Sequence, residues 1–298
     1  MNSKVIPHIA LSIVALLYGA NYVIAKIVLG SGLISAQGFI MLRVILTGIL
    51  LWLVHPILTS DRLDKKDIPY LLLCSLFGVS INQLCFFKGL ELTSPLHASL
   101  IMITTPIIVL IASFLILKSK IRLTQVVGIL IGLVGATILI WSASGGDDIA
   151  SVEGDFFIFI NAASYALYLV VAKRMLEKYH PITVIKWIFL LGGILILPFG
   201  MPDLLAADFS GFDPQHWWTV VYVVVGATFG TYVLNAFALG TVKPSTVSFY
   251  VYFQPLIASF ISISLGQDSL DMYKVISALL MFLGVYFVIK QKEVKKLN

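Results

Sequence analysis

Apolar runs of about twenty residues alternate with short polar breaks from one end of this chain to the other. A helix that crosses a bilayer needs roughly 20 mostly apolar residues. Ten runs meet that length: 6–29, 35–57, 68–89, 94–117, 123–142, 154–175, 181–199, 216–238, 244–265 and 272–290. The breaks carry turn residues, as in Gly30-Ser31-Gly32, Ser60-Asp61-Arg62, Ser94-Pro95, Ser144-Gly145-Gly146-Asp147-Asp148, His180-Pro181 and Gly211-Phe212-Asp213-Pro214. The longest breaks, 143–153 and 200–215, are loops too short for a soluble domain. The pattern predicts an all-α membrane protein of ten transmembrane helices.

The pattern also repeats. Residues 93–141 laid on residues 242–290, 149 positions on, align Pro95 with Pro244, Ser99 with Ser248, Pro106 with Pro255, Ser113 with Ser262, Val126 with Val275 and Gly135 with Gly284. Prolines are demanding inside apolar helices, so their recurrence in register carries weight. The expected units are residues 1–149 and 150–298, five helices each, within one membrane body. Five is odd, so the second unit enters the bilayer from the side opposite the first. Such inverted repeats, related by an axis in the membrane plane, build many secondary transporters and place the substrate near the midplane between the halves.

Composition agrees with lipid as the main solvent: 59% of residues are hydrophobic and 12% charged, against about 25% charged in soluble domains. Mean hydropathy is +0.99. The net charge of +5 does not indicate nucleic acid, because the cations sit in short loops and at the C-terminus rather than on a stripe. With ten spans and a cytoplasmic N-terminus, fifteen of the twenty Lys and Arg residues fall on the cytoplasmic side. The outer breaks 143–153 and 200–215 hold only acids, Asp147, Asp148, Glu153, Asp203, Asp208 and Asp213. This bias places both termini in the cytoplasm. The first run is too long for a signal peptide and lacks a small-residue cleavage site. Cys74 and Cys85 lie eleven residues apart in one run, roughly 16 Å along a helix, too far for a disulfide with each other. No metal-ligand spacing exists, and no cofactor is expected. The expected partners are the bilayer and a small-molecule substrate, and a monomer is compatible with this reading.

Polar side chains at membrane depth face protein or water. The candidates for a substrate cavity are Tyr18 and Asn21; Asn82, Gln83 and Phe86; Tyr165 and Tyr168, near Asn161; Tyr232 and Asn235; and Tyr250 and Gln254. Spacings of three or four put several of them on shared helix faces. Amide and phenol groups with aromatic walls suit a small zwitterion or an aromatic metabolite. The alternative is ordinary interhelical hydrogen bonding, worth about 0.6 kcal/mol per contact. Pro106 and Pro255 are read as paired bending points that shape the cavity, against the alternative of packing kinks. Arg43 lies deep in the second run and is expected to pair with a carbonyl or carboxylate and to guard the outer path. Lys186, in the seventh, snorkels to its nearer interface. No Asp, Glu or His lies in the middle third of a run, which favours a facilitator or exchanger over a carboxylate-driven proton antiporter. Trp52, Trp141, Trp217 and Trp218 read as interfacial anchors. Gly128, Gly132 and Gly135 make a small-residue face for packing within the bundle, with dimerisation as the alternative.

The chain resembles the drug/metabolite transporter superfamily, specifically its ten-helix EamA-type members. The resemblance rests on Tyr18-Gly19-Ala20-Asn21-Tyr22 in the first run, Arg43 in the second, Gly89-Leu90-Glu91-Leu92-Thr93 with Ala98, and the paired Pro106 and Pro255. It covers essentially the whole chain. A Gly-Glu pair usual after spans four and nine reads Leu117-Lys118 and Gly266-Gln267 here, so any role of that glutamate is absent. The resemblance implies export or exchange of small organic metabolites, amino acids among them, at a bacterial-type inner membrane. Uptake or exchange of sugars or phosphorylated metabolites is the alternative, and would need more midplane cations than Arg43. A membrane-embedded enzyme or receptor would need a buried catalytic set or a large extramembrane domain, and the sequence offers neither.

Overall fold

The computed structural model describes residues 5–92, 101–142, 152–264 and 272–289. Ser94-Pro95, Ala98, the loop at 144–148, Gly266-Gln267 and the C-terminal lysines lie outside the described residues, as do the side chains of Glu91, Trp141 and Pro255. Among the described residues every regular element is helical: α1 (Ile6–Leu29), α2 (Ala36–Leu58), α3 (Ile68–Ser75), α4 (Ile81–Leu92), α5 (Thr105–Leu117), α6 (Leu123–Ser142), α7 (Val152–Leu176), α8 (Pro181–Leu205), α9 (Pro214–Val221), α10 (Thr231–Thr241), α11 (Pro244–Phe249), α12 (Phe253–Ser264) and α13 (Met272–Ile289). Five helical stretches are long and apolar enough to cross a membrane, among them Ala36–Leu58, Val152–Leu176 and Pro181–Leu205, and further apolar helices are shorter.

Helix starts follow local chemistry. Ser35 Oγ accepts from the Gly38 N–H at the head of α2, and Asp213 and His216 form a reciprocal capping box ahead of α9. Such caps satisfy N–H groups that the first turn leaves unpaired. At the end of α5, Lys118 adopts a left-handed φ of 50° and its N–H reaches the Ser113 carbonyl.

Two helical stretches are not plain α-helix. Leu76–Ser80 joins α3 to α4 as a π-helix, and Tyr222–Gly230 joins α9 to α10 in the same way. Moved by 149, residues 76–80 fall on 225–229, inside the second π segment. A hydroxyl bridges back five residues in each, Ser80 Oγ to the Ser75 carbonyl at 3.5 Å and Thr228 Oγ1 to the Val223 carbonyl at 2.6 Å. The prolines also occupy matching places. Pro106 stands in the first turn of α5, just after a turn at 103–104, and Pro255 in the first turn of α12, just after the 3-10 turn Tyr250–Tyr252. Each apolar run is thus broken immediately before its proline rather than kinked within a continuous helix, because a first turn has no hydrogen bond for proline to remove.

The packing has the same duplicity. α4 packs on α7 as α10 packs on α1; α5 packs on α7 as α12 packs on α1. α2 lies against α8, and α6 against α13. Both of these last pairs are antiparallel. Along α2 and α8, Gly38 meets Asp203, Met41 meets Gly200, Val44 meets Gly193 and His55 meets Thr183. Along α6 and α13, Gly128 meets Gly284 while Gly135 meets Ser277. The glycine face of α6 is therefore spent on packing inside the bundle. One end of the bundle gathers Asp61, Asp67, Lys178, His180, Gln125 and Ser245; the other gathers Ser35, Leu33, Asp203 and Asp208.

Candidate functional site

A cavity of about 100 Å³ lies between α1, α2, α4, α7, α10 and the broken stretches around Met102 and Val251. Its walls are Tyr18, Asn21, Arg43, Asn82, Gln83, Phe86, Met102, Asn161, Tyr165, Tyr232, Val251 and Gln254. Eight of the eleven candidate substrate residues are among them, together with Arg43. Asn235 stands just behind the wall, within hydrogen-bonding reach of Tyr18 and Tyr165. Tyr168 lies outside the lining: its ring stacks on Tyr165 and fills the space beside Gly78. Tyr250 also lies outside, with its hydroxyl 3.0 Å from His8 Nδ1. Pro106 is buried behind the break at 103–104 and does not reach the lining.

The π segment of the first half sets the geometry of one wall. A Cβ on Gly78 would overlap the Tyr168 ring. Its absence lets α7 approach, and Ser164 Oγ donates to the Phe77 carbonyl at 2.7 Å. Within the same segment the Gly78 carbonyl accepts from the Tyr232 hydroxyl at 2.9 Å. That same hydroxyl accepts from Gln83 Nε2 at 3.0 Å. π-Bulges often mark functional sites, because they expose a backbone group inside a helix.

Gln83 and Tyr232 are 149 residues apart, so each is the other's repeat mate. Met102 and Val251 are likewise 149 apart, and Tyr18 and Tyr165 are 147 apart. Two pairs in that 149-residue register therefore line the cavity, while Tyr18 and Tyr165 miss it by two residues. Met102 and Val251 escaped the polar criterion because both are apolar; their signal was the matched spacing four residues before the paired prolines.

The polar contents of the cavity are incompletely paired. Arg43 is 5% exposed, its Nε has no hydrogen-bond partner, and its guanidinium carbon lies 5.8 Å from the centre of the Phe87 ring. The Oδ1 atoms of Asn21 and Asn161 are also buried without partners, although Asn161 Nδ2 donates to the Asn82 carbonyl at 2.7 Å. No carboxylate is among the lining residues. Buried polar groups are nearly always hydrogen-bonded, so an orphaned donor and two orphaned acceptors on residues that line one cavity call for an occupant. Lys186 does not join this site: its ammonium lies 4.3 Å from the Trp52 ring and 5.9 Å from Trp187.

Residues 5–141 and again 152–290 match the EamA-like transporter family. The chain belongs to that family. EamA-family proteins are membrane transporters and not enzymes. An uncharacterized transporter of Archaeoglobus fulgidus is 27% identical over 79% of this chain and 83% of its own. The uncharacterized inner membrane transporter YicL of Salmonella typhimurium is 23% identical over 93% of this chain and 92% of its own. A solved crystal structure superposes with a TM-score of 0.75 at 17% identity, covering 96% of both chains, which identifies a shared fold. In an EamA transporter, a cavity that holds a buried arginine and no acid is the natural place to look for the substrate.

Proposed function

We propose that this chain exports or exchanges small metabolites bearing a carboxylate, amino acids among them, across the cytoplasmic membrane. One observation carries the reading: the buried Arg43 guanidinium, whose Nε is unpartnered in a cavity without an acid. A substrate carboxylate satisfies it with a charge-assisted hydrogen bond. The free Oδ1 atoms of Asn21 and Asn161 accept from the substrate ammonium, and the Tyr18, Tyr165 and Phe86 rings bound the remaining space. The small volume suits a compact zwitterion, and a single lining cation is a poor match for phosphorylated metabolites.

The mechanism is alternating access by two inverted halves, 1–149 and 150–298, of five spans each. The antiparallel mates α2 with α8 and α6 with α13 support it, since an axis in the membrane plane reverses helix direction whereas an axis along its normal does not. The duplicated family match supports the division into halves. The concentration of Lys and Arg at one end supports a cytoplasmic location for that end and for both termini.

The test is counterflow in proteoliposomes with a panel of labelled amino acids, matched amines lacking the carboxylate, and sugar phosphates. Uptake of an amino acid, with no movement of its amine analogue, is the expected result. Movement of the amines, or of sugar phosphates alone, overturns the proposal.

A further inference from the structure

A second cavity, of about 340 Å³, opens at the basic end of the bundle between α5, α6, α7 and α11. Its lining carries four cations, Lys120, Lys173, Arg174 and Lys243, and one acid, Glu177. Two of the cations are engaged. Lys173 Nζ donates to the Leu239 and Gly240 carbonyls at 2.8 and 3.0 Å, capping α10, and lies 3.6 Å from Glu177. Arg174 lies over the Tyr70 ring. Lys120 and Lys243 have no acidic partner among the described residues. Burial, and then the neighbouring Arg122, lower the pKa of the Lys243 ammonium, so an anion beside it would be welcome.

Three hydroxyls complete the lining, those of Ser113, Ser119 and Ser245. The Ser113 hydroxyl is buried, with the residue only 4% exposed, and has no hydrogen-bond partner. Ser245 Oγ accepts from Gln125 Nε2 at 3.2 Å, which leaves its own proton free to donate. Ammonium point charges with hydroxyl donors around one cavity match a tetrahedral oxyanion with several acceptor oxygens. Beside the polar end, the outward surface of α5 is apolar: Phe114 is 52% and Leu115 67% exposed, and Leu110 and Leu117 line the pocket itself. The pocket thus joins a basic floor to a face that meets acyl chains. Basic pockets between transmembrane helices on the cytoplasmic side hold anionic lipid headgroups.

We propose that this pocket binds a phosphate group, supplied by an anionic phospholipid of the inner leaflet. The leaflet rests on the orientation argued above; binding of the phosphate does not, so the two fail separately. The full chain, purified in detergent, is melted with phosphatidylglycerol, phosphatidylcholine or inorganic phosphate added, and compared with the Lys120→Gln/Lys243→Gln double variant. Phosphatidylglycerol should raise the melting temperature more than phosphatidylcholine, and the double variant should lose most of that difference. Ser113→Ala provides a second variant if the double variant does not fold, and should shrink the same difference. Inorganic phosphate that reproduces the whole shift overturns the lipid source in favour of a soluble phosphate. Equal stabilisation by both lipids, or a shift that survives in the variants, overturns the site.

Discussion

Arg43, on which the proposed substrate site rests, is costly to the fold. A guanidinium held in a cavity without an acid is destabilising until something anionic arrives. Arg43→Gln removes that cost, so the variant should melt no lower than the parent. On the proposed reading it also removes a charge-assisted hydrogen bond to the substrate, worth about 1.5–3 kcal/mol, so half-saturation in counterflow should rise roughly 10- to 150-fold. An unchanged concentration dependence would show that Arg43 does not touch the substrate. Gly78 is the complementary case, a residue used for what it lacks. Gly78→Ala drives a methyl into the Tyr168 ring. Overpacking of this kind costs about 1–3 kcal/mol, and here it also pushes the Gly78 carbonyl away from the Tyr232 hydroxyl. The apparent melting temperature of Gly78→Ala should fall; a melt that overlays the parent would mean that Tyr168 has another place to go.

At the scale of elements, hydropathy was a reliable guide to where helices lie and a poor guide to their internal winding. The apolar runs lie on helical stretches wherever residues are described, apart from the turn at 103–104, and α8 runs on to Leu205 through residues read as a loop; lipid forces the backbone to satisfy itself and the sequence records it. The π segments at Leu76–Ser80 and Tyr222–Gly230 left no such record, since pairing five residues back changes no side chain's polarity. Periodicity failed at the cavity for a related reason. Tyr165 and Tyr168, three residues apart, sit on neighbouring faces, yet one lines the cavity and the other fills the gap beside Gly78. The α6–α13 pair was more legible, because glycines at 128, 132, 135 and 284 advertise close approach. A Cβ on Gly128 would lie 2.7 Å from the Gly284 carbonyl oxygen. Gly128→Ala must therefore push the α6 and α13 backbones apart rather than nudge a side chain, and should lower the melting temperature, as should Gly284→Ala. Because the two sites share one contact, the double variant should cost less than the sum. Additive losses would mean that the helices separate elsewhere.

At the scale of the molecule, the two ends of the bundle are not tied alike. Among the described residues, the acidic end joins first half to second through Ser35 with Asp203, and Leu33 with Asp208. The basic end has a larger network. The Asp67 carboxylate accepts from Lys178 and Tyr179, both at 2.5 Å; the Asp61 carboxylate accepts from the His180 N–H; and Gln125 donates to Ser245. If the two halves alternate as proposed, one set of ties is released as the other forms, and this network is then the latch of a state closed at the basic end. Its chemistry gives it a pH dependence with a definite sign. The hydrogen bonds from Lys178 and then Tyr179 hold the Asp67 carboxyl below the usual aspartate range, and the bond to Asp67 raises the Lys178 ammonium. A depressed carboxyl contributes its contact fully above the aspartate range and loses it as pH falls through the depressed value. Acid should therefore loosen the basic end, and Asp67→Asn should mimic acid at neutral pH. Lys178 is exposed and Asp67 only part-buried at the surface, so the latch is weak and salt-sensitive, and the shift should be a few-fold rather than all-or-none. The readout is labelling of a cysteine introduced by Gln125→Cys, with a membrane-impermeant thiol reagent, on the side of the membrane that the basic end faces. Labelling should quicken in the Asp67→Asn background and respond less to acid there. Equal rates in both backgrounds would mean that this network ornaments a surface and does not hold the halves together.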